Sequence, residues 1–532
     1  MIPSIFNDVI GPVMRGASSS HCAAALRIGR ICRALMDDRL DQIEVEFDVR
    51  GSLATTHKSQ GTDMGLFGGF LGWEAYDERL PESEHYLAPA GIDVRIAILD
   101  YGAEHPNTYR IRMTTGGDHH VLTAISTGGG MIEVTDIDGT AVTMGGDYYE
   151  TLVFVDTPNA AKAVAADAAA PAAGMADGFM AEDVIIHRRF VQLKSQQPPG
   201  GLRERWAAMP GVTAVKVIDP VLPVLSRKNM TVPFITCEEM LAYNETRNLP
   251  LWELAVAYEA ARGGLTQAEV LDKMREIVGI MKNAIQQGLA GTTYADRLLG
   301  AQSLNFRKQL ADRKLIEGDT INRIVMYVSA MMEVKSSMGV IVAAPTAGSC
   351  GALPGAVLGL VDQLTLPDDA AVKAMLCAGI IGVFIAAHAT FAAEVGGCQA
   401  ECGSGASMAA AGMVYLGGGN LQQSLSAASL ALQNSLGMVC DPIANRVEAP
   451  CLGKNVLAAS NAFSCANMAL ADYDHLIPLD QVIEAMDQVG QSMPHTLRCT
   501  NLGGLSITKA AKELEQKLEG QQAAPAVFFK SC

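Results

Sequence analysis

Nineteen residues without a formal charge, Met375 to Ala393 (MLCAGIIGVFIAAHATFAA), lie between Lys373 and Glu394. A stretch this apolar has two possible homes, a lipid bilayer or the middle of a large core. Its length is borderline for a membrane span and it carries His388. A buried helix inside an all-α core is therefore expected. The stretch that follows, EVGGCQAECGSGASM, sets two cysteines, two carboxylates and four glycines in fifteen residues. Unpaired charge at the end of an apolar helix is costly, so these groups either meet a ligand that rewards them or are incidental.

The surrounding chain supports the helical core. From Met230 onward, PLWELAVAYEAARGG, TQAEVLDKMREIVGIMKNAIQQGLAG, GDTINRIVMYVSAMMEVKSSMG and QQSLSAASLALQNSLG place apolar residues at helical spacing and end near glycine. The first 140 residues read differently. A loop at Ser18, Ser19 and Ser20 offers N-caps to a helix carrying Ala24, Ile28, Ile31 and Leu35. QIEVEFDV, GIDVRIAILDYG, TYRIRMTTGG and HHVLTAISTGGGMIEVTDIDG are strand candidates, the last interrupted by glycines. Between these parts, residues 141–222 run strand, helix, two strands, helix, strand. That order fits a small ferredoxin-like module similar to an ACT domain, with an alanine-rich linker (Ala160 to Ala173) as the plainer reading. The expected organisation is multidomain: an α/β domain over 1–140, the ferredoxin-like, ACT-like module or linker over 141–222, a large all-α domain over 226–510, and a tail over 511–532.

Hydrophobic residues make up 49% of the 532 and charged residues 18%, with a net charge of −17. An acidic chain without a basic run is a poor partner for nucleic acid or an anionic membrane. The N-terminus lacks the basic and apolar regions of a secretory signal, so a cytoplasmic protein is expected. A reducing compartment disfavours disulfides among the twelve cysteines. Three of them adjoin turn formers: Cys398 follows Gly396 and Gly397, Cys440 precedes Pro442, and Cys451 follows Pro450. Their spacing matches neither a zinc C-x₂-C pair nor a ferredoxin run. Three thiolates with an open position suit a 4Fe–4S cluster with one free iron, though spacing alone leaves buried, inert thiols as the simpler reading.

The motifs AAPTAGSCGALPGAVL, AEVGGCQAECGSGASMAAAGM and LGMVCDPIANRVEAPCLGKNVLAASNA resemble the catalytic domain of the iron–sulfur-dependent bacterial L-serine dehydratases. In the first domain SSSH, GSLATTHKSQGTD, HPNTYR and STGGG resemble the same family's smaller domain. The resemblance implies that Cys398, Cys440 and Cys451 hold the cluster, surrounded by Glu394, Gln399 and Glu401. It also suggests Cys532 as a fourth, labile ligand. Cys350, Cys402, Cys499 and the remaining cysteines are expected to be buried and inert.

The implied reaction is loss of water from L-serine or a related β-hydroxy amino acid, and then of ammonia, without pyridoxal phosphate. It needs a Lewis acid for the hydroxyl and a base for the α-proton. Ser18, Ser19, Ser20, His21, His57, Gln60 and Asp63 are the catalytic candidates. Thr346, Ala347 and Gly348, with His105 and Asn107, are the substrate-binding ones. Gln60 stands where the family commonly has histidine and cannot act as a base; His57, three residues earlier, is the candidate replacement. Ala17 and Cys22 also depart from the family's pattern. A lyase for another β-substituted acid, a non-catalytic iron–sulfur sensor and a zinc protein are the competing readings. A homodimer is expected.

Overall fold

The computed structural model describes residues 2–169 and 179–522. The tail that carries Cys532, and part of the alanine-rich stretch, lie outside them.

The C-terminal half is built of helices, as the periodicity predicts: Leu251–Gly263, Gln267–Ala290, Asp319–Ser336, Ala352–Gln363, Asp368–His388, Ser404–Leu416, Leu421–Gln433 and Cys451–Leu470. Their starts follow local chemistry. Thr266 and Glu269 form a reciprocal capping box at the head of Gln267–Ala290, which satisfies two backbone donors that a helix end leaves open. Asp368–His388 is the one described helix long and apolar enough to cross a membrane. It runs through the core instead, its residues from Ala374 to Ile385 all buried.

The N-terminal half carries a six-stranded sheet in the order Asp93–Leu99, Gln42–Asp48, Thr108–Thr115, Asp118–Gly128, Met131–Ile137, Thr140–Met144. The first pair is parallel, with Ile43 opposite Val94, and the rest are antiparallel. The glycine-interrupted stretch is thus two strands, turning at Gly128–Gly130, where all three glycines have positive φ. The sheet runs on to Met144, past residue 140. One face packs Val45, Phe47, Ile111 and Leu122 against Ile28, Ile31 and Leu35 of the helix Ala24–Leu35.

A second, four-stranded antiparallel sheet follows in the order Val212–Ile218, Tyr149–Val155, Phe190–Ser195, Ala181–Ile186. Helices Pro158–Ala169 and Leu202–Ala207 enclose a small core with it around the fully buried Trp206. Lys216 of this sheet, 3% exposed, reaches Asp37 at 2.8 Å and Asp118 at 2.6 Å on the first domain.

One segment crosses the expected boundary. The π-helical turn Ile5–Val9 belongs to the helical core, and Val13–Met14 pairs with Ile341–Val342. Two glycines make room for it. A Cβ on Gly379 would stand 2.8 Å from Ile5, and one on Gly382 would stand 2.1 Å from Val9. Any larger residue at either position would displace the turn.

Candidate active site

The helical half contributes the thiols. Its elements break where the turn formers predict: Ala393–Gly396 ends at Gly397 with φ of 72°, which delivers Cys398. Cys440 is held by backbone bonds to Leu497 and Cys499. Cys451 opens the helix Cys451–Leu470. All three are buried. The sulfurs of Cys398 and Cys440 and a carboxylate oxygen of Glu401 lie within 4.8 Å of one another. The Cys402 and Cys440 thiols donate toward the Cys398 sulfur, and the Lys454 ammonium stands 3.9 Å away; these hold Cys398 well below the usual thiol range despite its burial. Lys454 is itself fixed by Asp441 and the Val439 carbonyl, each at 2.6 Å. Burial and the neighbouring Cys398 charge push Glu401 up to about 8.

The loop Thr346 to Cys350 closes one side. Thr346 donates to Glu401 at 2.6 Å, and Gly348 lies so near that a Cβ there would meet a Glu401 oxygen at 2.8 Å. Asn455 stitches this loop to the thiols. Its side chain accepts from Gly351 and Ala352 and donates to the carbonyls of Gly348 and Cys451.

The N-terminal half supplies the polar groups. Ser18 occupies the N-cap position of a π-helical turn, Ser19–Ala23, yet its hydroxyl makes no cap bond. It goes to His21 Nδ1 at 3.0 Å and Ser20 at 3.1 Å. The expected N-capping by the serines is therefore corrected: the Ser18 hydroxyl stays within its own loop, and those of Ser19 and Ser20 bind across the domain seam. Ser20 donates to Glu394 at 2.8 Å, and Ser19 accepts from the Ala347 N–H at 3.2 Å. Thus the serine loop and the loop of the substrate-binding candidates Thr346 to Gly348 meet each other, and the Ala347 N–H is already taken. Glu394 faces His21 and Ser20, while Gln399 turns away to the Met486 carbonyl and the Gly437 N–H.

Three histidines lie in or beside this network, and their hydrogen bonds set His57 apart from His21 and His105 by its tautomer. Thr56 gives its hydroxyl proton to the Ser52 carbonyl, so His21 Nε2, 2.9 Å from Thr56, must donate; Nδ1 then accepts from Ser18, the Ser20 proton being given to Glu394. Burial holds His21 below the usual histidine range, against the pull of Glu394. His105 Nδ1 accepts the Asn107 N–H at 3.2 Å, leaving Nε2 as a donor. Burial lowers this ring too. His57 Nδ1 faces Asp63 at 2.7 Å, so it carries the proton and leaves the Nε2 lone pair open. The neighbours of His57 reach into the site: Thr55 accepts from Asn445, Thr56 binds His21, and Gln60 donates to the Cys499 sulfur at 3.6 Å. Asn107 accepts from Ser52 at 2.5 Å, while its buried Nδ2 has no partner.

Sequence reasoning missed Lys454, Asn455, Thr56 and the contact of Gln60 with Cys499. Lys454 and Asn455 had a usable signal, since they follow Cys451 by three and four residues and share its helix face. The Gln60 contact joins residues 439 apart and had none.

Residues 246–506 match the family model described as serine dehydratase alpha chain. Over 287 residues the chain is 36% identical to the probable L-serine dehydratase alpha chain of Bacillus subtilis, covering 54% of this chain and 96% of that one. It is 34% identical over 282 residues to the L-serine dehydratase alpha chain of Peptoniphilus asaccharolyticus, covering 53% and 97%. It is 32% identical over 283 residues to L-serine dehydratase 1 of Escherichia coli, covering 52% and 62%.

Proposed function

The chain belongs to the serine dehydratase family, and we propose that it is a lyase converting L-serine to pyruvate and ammonia. Loss of the α-proton and the β-hydroxyl gives water and an enamine, which tautomerises and is hydrolysed to the 2-oxo acid. The observation that carries the assignment of roles is the open Nε2 of His57 beside a fixed Asp63. A base needs a free lone pair at a positioned atom, and neither His21 nor His105 offers one in this network.

The donor set fits a thiolate-held iron–sulfur group. Cys398 and Cys440 converge in a buried pocket, Cys451 heads the adjoining helix, and Lys454 stands ready to offset thiolate charge. Held by Cys398, Cys440 and Cys451, a 4Fe–4S cluster with one iron free of protein thiolate would supply Lewis acidity toward the serine hydroxyl. No pyridoxal phosphate enters this reading. In this scheme His57 Nε2 takes the α-proton, with Asp63 keeping the ring in the accepting tautomer. His105 Nε2–H and the unpartnered Asn107 Nδ2–H bind the substrate carboxylate. The chain from Asn107 through Ser52 and Thr56 to His21 and Ser20 holds that loop against Glu394.

We also read the four-stranded module as ACT-like. Its support is the strand order, fourth-first-third-second with every pair antiparallel, which is the pattern a split βαβ unit generates.

The test is anaerobic purification, assay of iron and sulfide, and measurement of 2-oxo acid formed from L-serine. Bound cluster, pyruvate formation, and loss of both in Cys398→Ala are expected. A cluster-bearing protein that leaves L-serine untouched would overturn the substrate; active protein free of iron would overturn the cluster.

A further inference from the structure

A cavity of about 390 Å³ lies where the N-terminal segment, the helix Ala24–Leu35, the stretch Pro220–Pro223 and the helix Gln267–Ala290 converge. No cysteine lines it. Its walls include Phe6, Ile10, Leu26 and Leu222, each at most 5% exposed, with Ile277 on the far side. One charged group in the lining is buried: Arg27 is 6% exposed.

Arg27 has no ion-pair partner among the described residues. Its Nη1 donates to the Gly130 carbonyl at 2.6 Å and approaches the Met131 sulfur. Arg30, one turn along, is paired with Glu74 at 2.8 Å. Asp8 acts on Arg27 only at a distance, and its carboxylate takes the Ser4 N–H at 2.7 Å. A buried cation without a counter-charge is expensive, and burial does lower Arg27 to about 10. The cavity beside it has room for a small molecule that brings the missing charge.

We infer that this cavity binds a small carboxylic acid with an apolar body, its carboxylate on Arg27 and its hydrocarbon against Phe6, Ile10 and Ile277. The position suits an effector. The carbonyl that Arg27 holds belongs to the turn Gly128–Gly130, whose first residue packs on Ala392, two residues from Glu394. Binding here does not depend on which reaction the thiol pocket runs.

The test is calorimetric titration of the full chain with isocaproate and with its uncharged amide. Saturable binding of the acid is expected, weaker by about tenfold or more for the amide and in Arg27→Gln. Ile277→Trp, which fills the cavity from the opposite wall, is expected to abolish it. Should Arg27→Gln fail to fold, the amide and the tryptophan variant still decide. Absence of saturation up to about 10 mM acid, equal binding of acid and amide, or unchanged binding in Ile277→Trp would each overturn the proposal.

Discussion

The two halves of the site are made in opposite ways. The thiol half comes from breaks between helices of one core, and its sulfurs crowd one another around Glu401 and Lys454. The polar half comes from loops over a sheet, and most of its hydrogen bonds are already spent between side chains. The His57 lone pair, the His105 Nε2–H and the Asn107 amide are left open there. The lesson is that a saturated network makes its few unsaturated atoms informative, whereas thiols crowded around one acid and one ammonium suit a ligand that they share. Neither half is complete alone, because the Ser19 to Ala347 and Ser20 to Glu394 bonds close the site across the domain seam.

The sharpest way to break this comparison is to remove the open base. His57→Gln is expected to lower kcat for pyruvate formation by about 10²–10⁴-fold with little change in KM. His21→Gln, which alters a spent histidine, is expected to cost less. The reverse order in steady-state kinetics would undo the tautomer assignment.

Next in size is the packing that lets the halves meet. Gly382→Val drives a branched side chain into Val9 and is expected to cost about 3 kcal/mol in denaturant unfolding. A wild-type midpoint would show that the N-terminal turn does not need that approach.

The same seam has a titrating anchor. Glu259 accepts from Ser4 at 2.5 Å and from the Ile5 N–H at 2.7 Å, and burial raises it from 4.5 to about 7. The folded state therefore holds a proton that the unfolded chain releases. Stability contributed by this group is full below about pH 4.5 and is lost as pH rises through 7, on the order of 3 kcal/mol. Unfolding curves across that range should show the decline, and Glu259→Gln should flatten it.

The smallest expected effect sharpens the thiol half. Lys454→Met removes the ammonium 3.9 Å from Cys398 while keeping the stem. Iron should then be lost to a chelator about tenfold faster, the scale of a partner that acts through a ligand. Equal retention would make Lys454 a helix-surface residue only.

How much of this was legible beforehand divides along the same line. The core helix Asp368–His388 was readable because an uncharged run of that length has few stable homes. The strands Gln42–Asp48, Asp93–Leu99 and Thr108–Thr115 were readable from alternation and turn residues. Cys398, Cys440 and Cys451 could be set apart because each adjoins a glycine or proline that ends regular structure. The serines at 18–20 misled as caps, since a serine before a helix looks the same whether its hydroxyl serves the backbone or a distant carboxylate.

By itself, the sequence determined the helical core, the two sheets and the three turn-borne cysteines. These follow from periodicity, turn chemistry and burial, which act over a few residues. Only the tertiary structure decided which histidine keeps a free nitrogen, that Gln60 meets Cys499, and that residues 5–14 join the helical core. Those outcomes depend on partners hundreds of residues away, and hydrogen bonds and close packing are specified only where such partners meet.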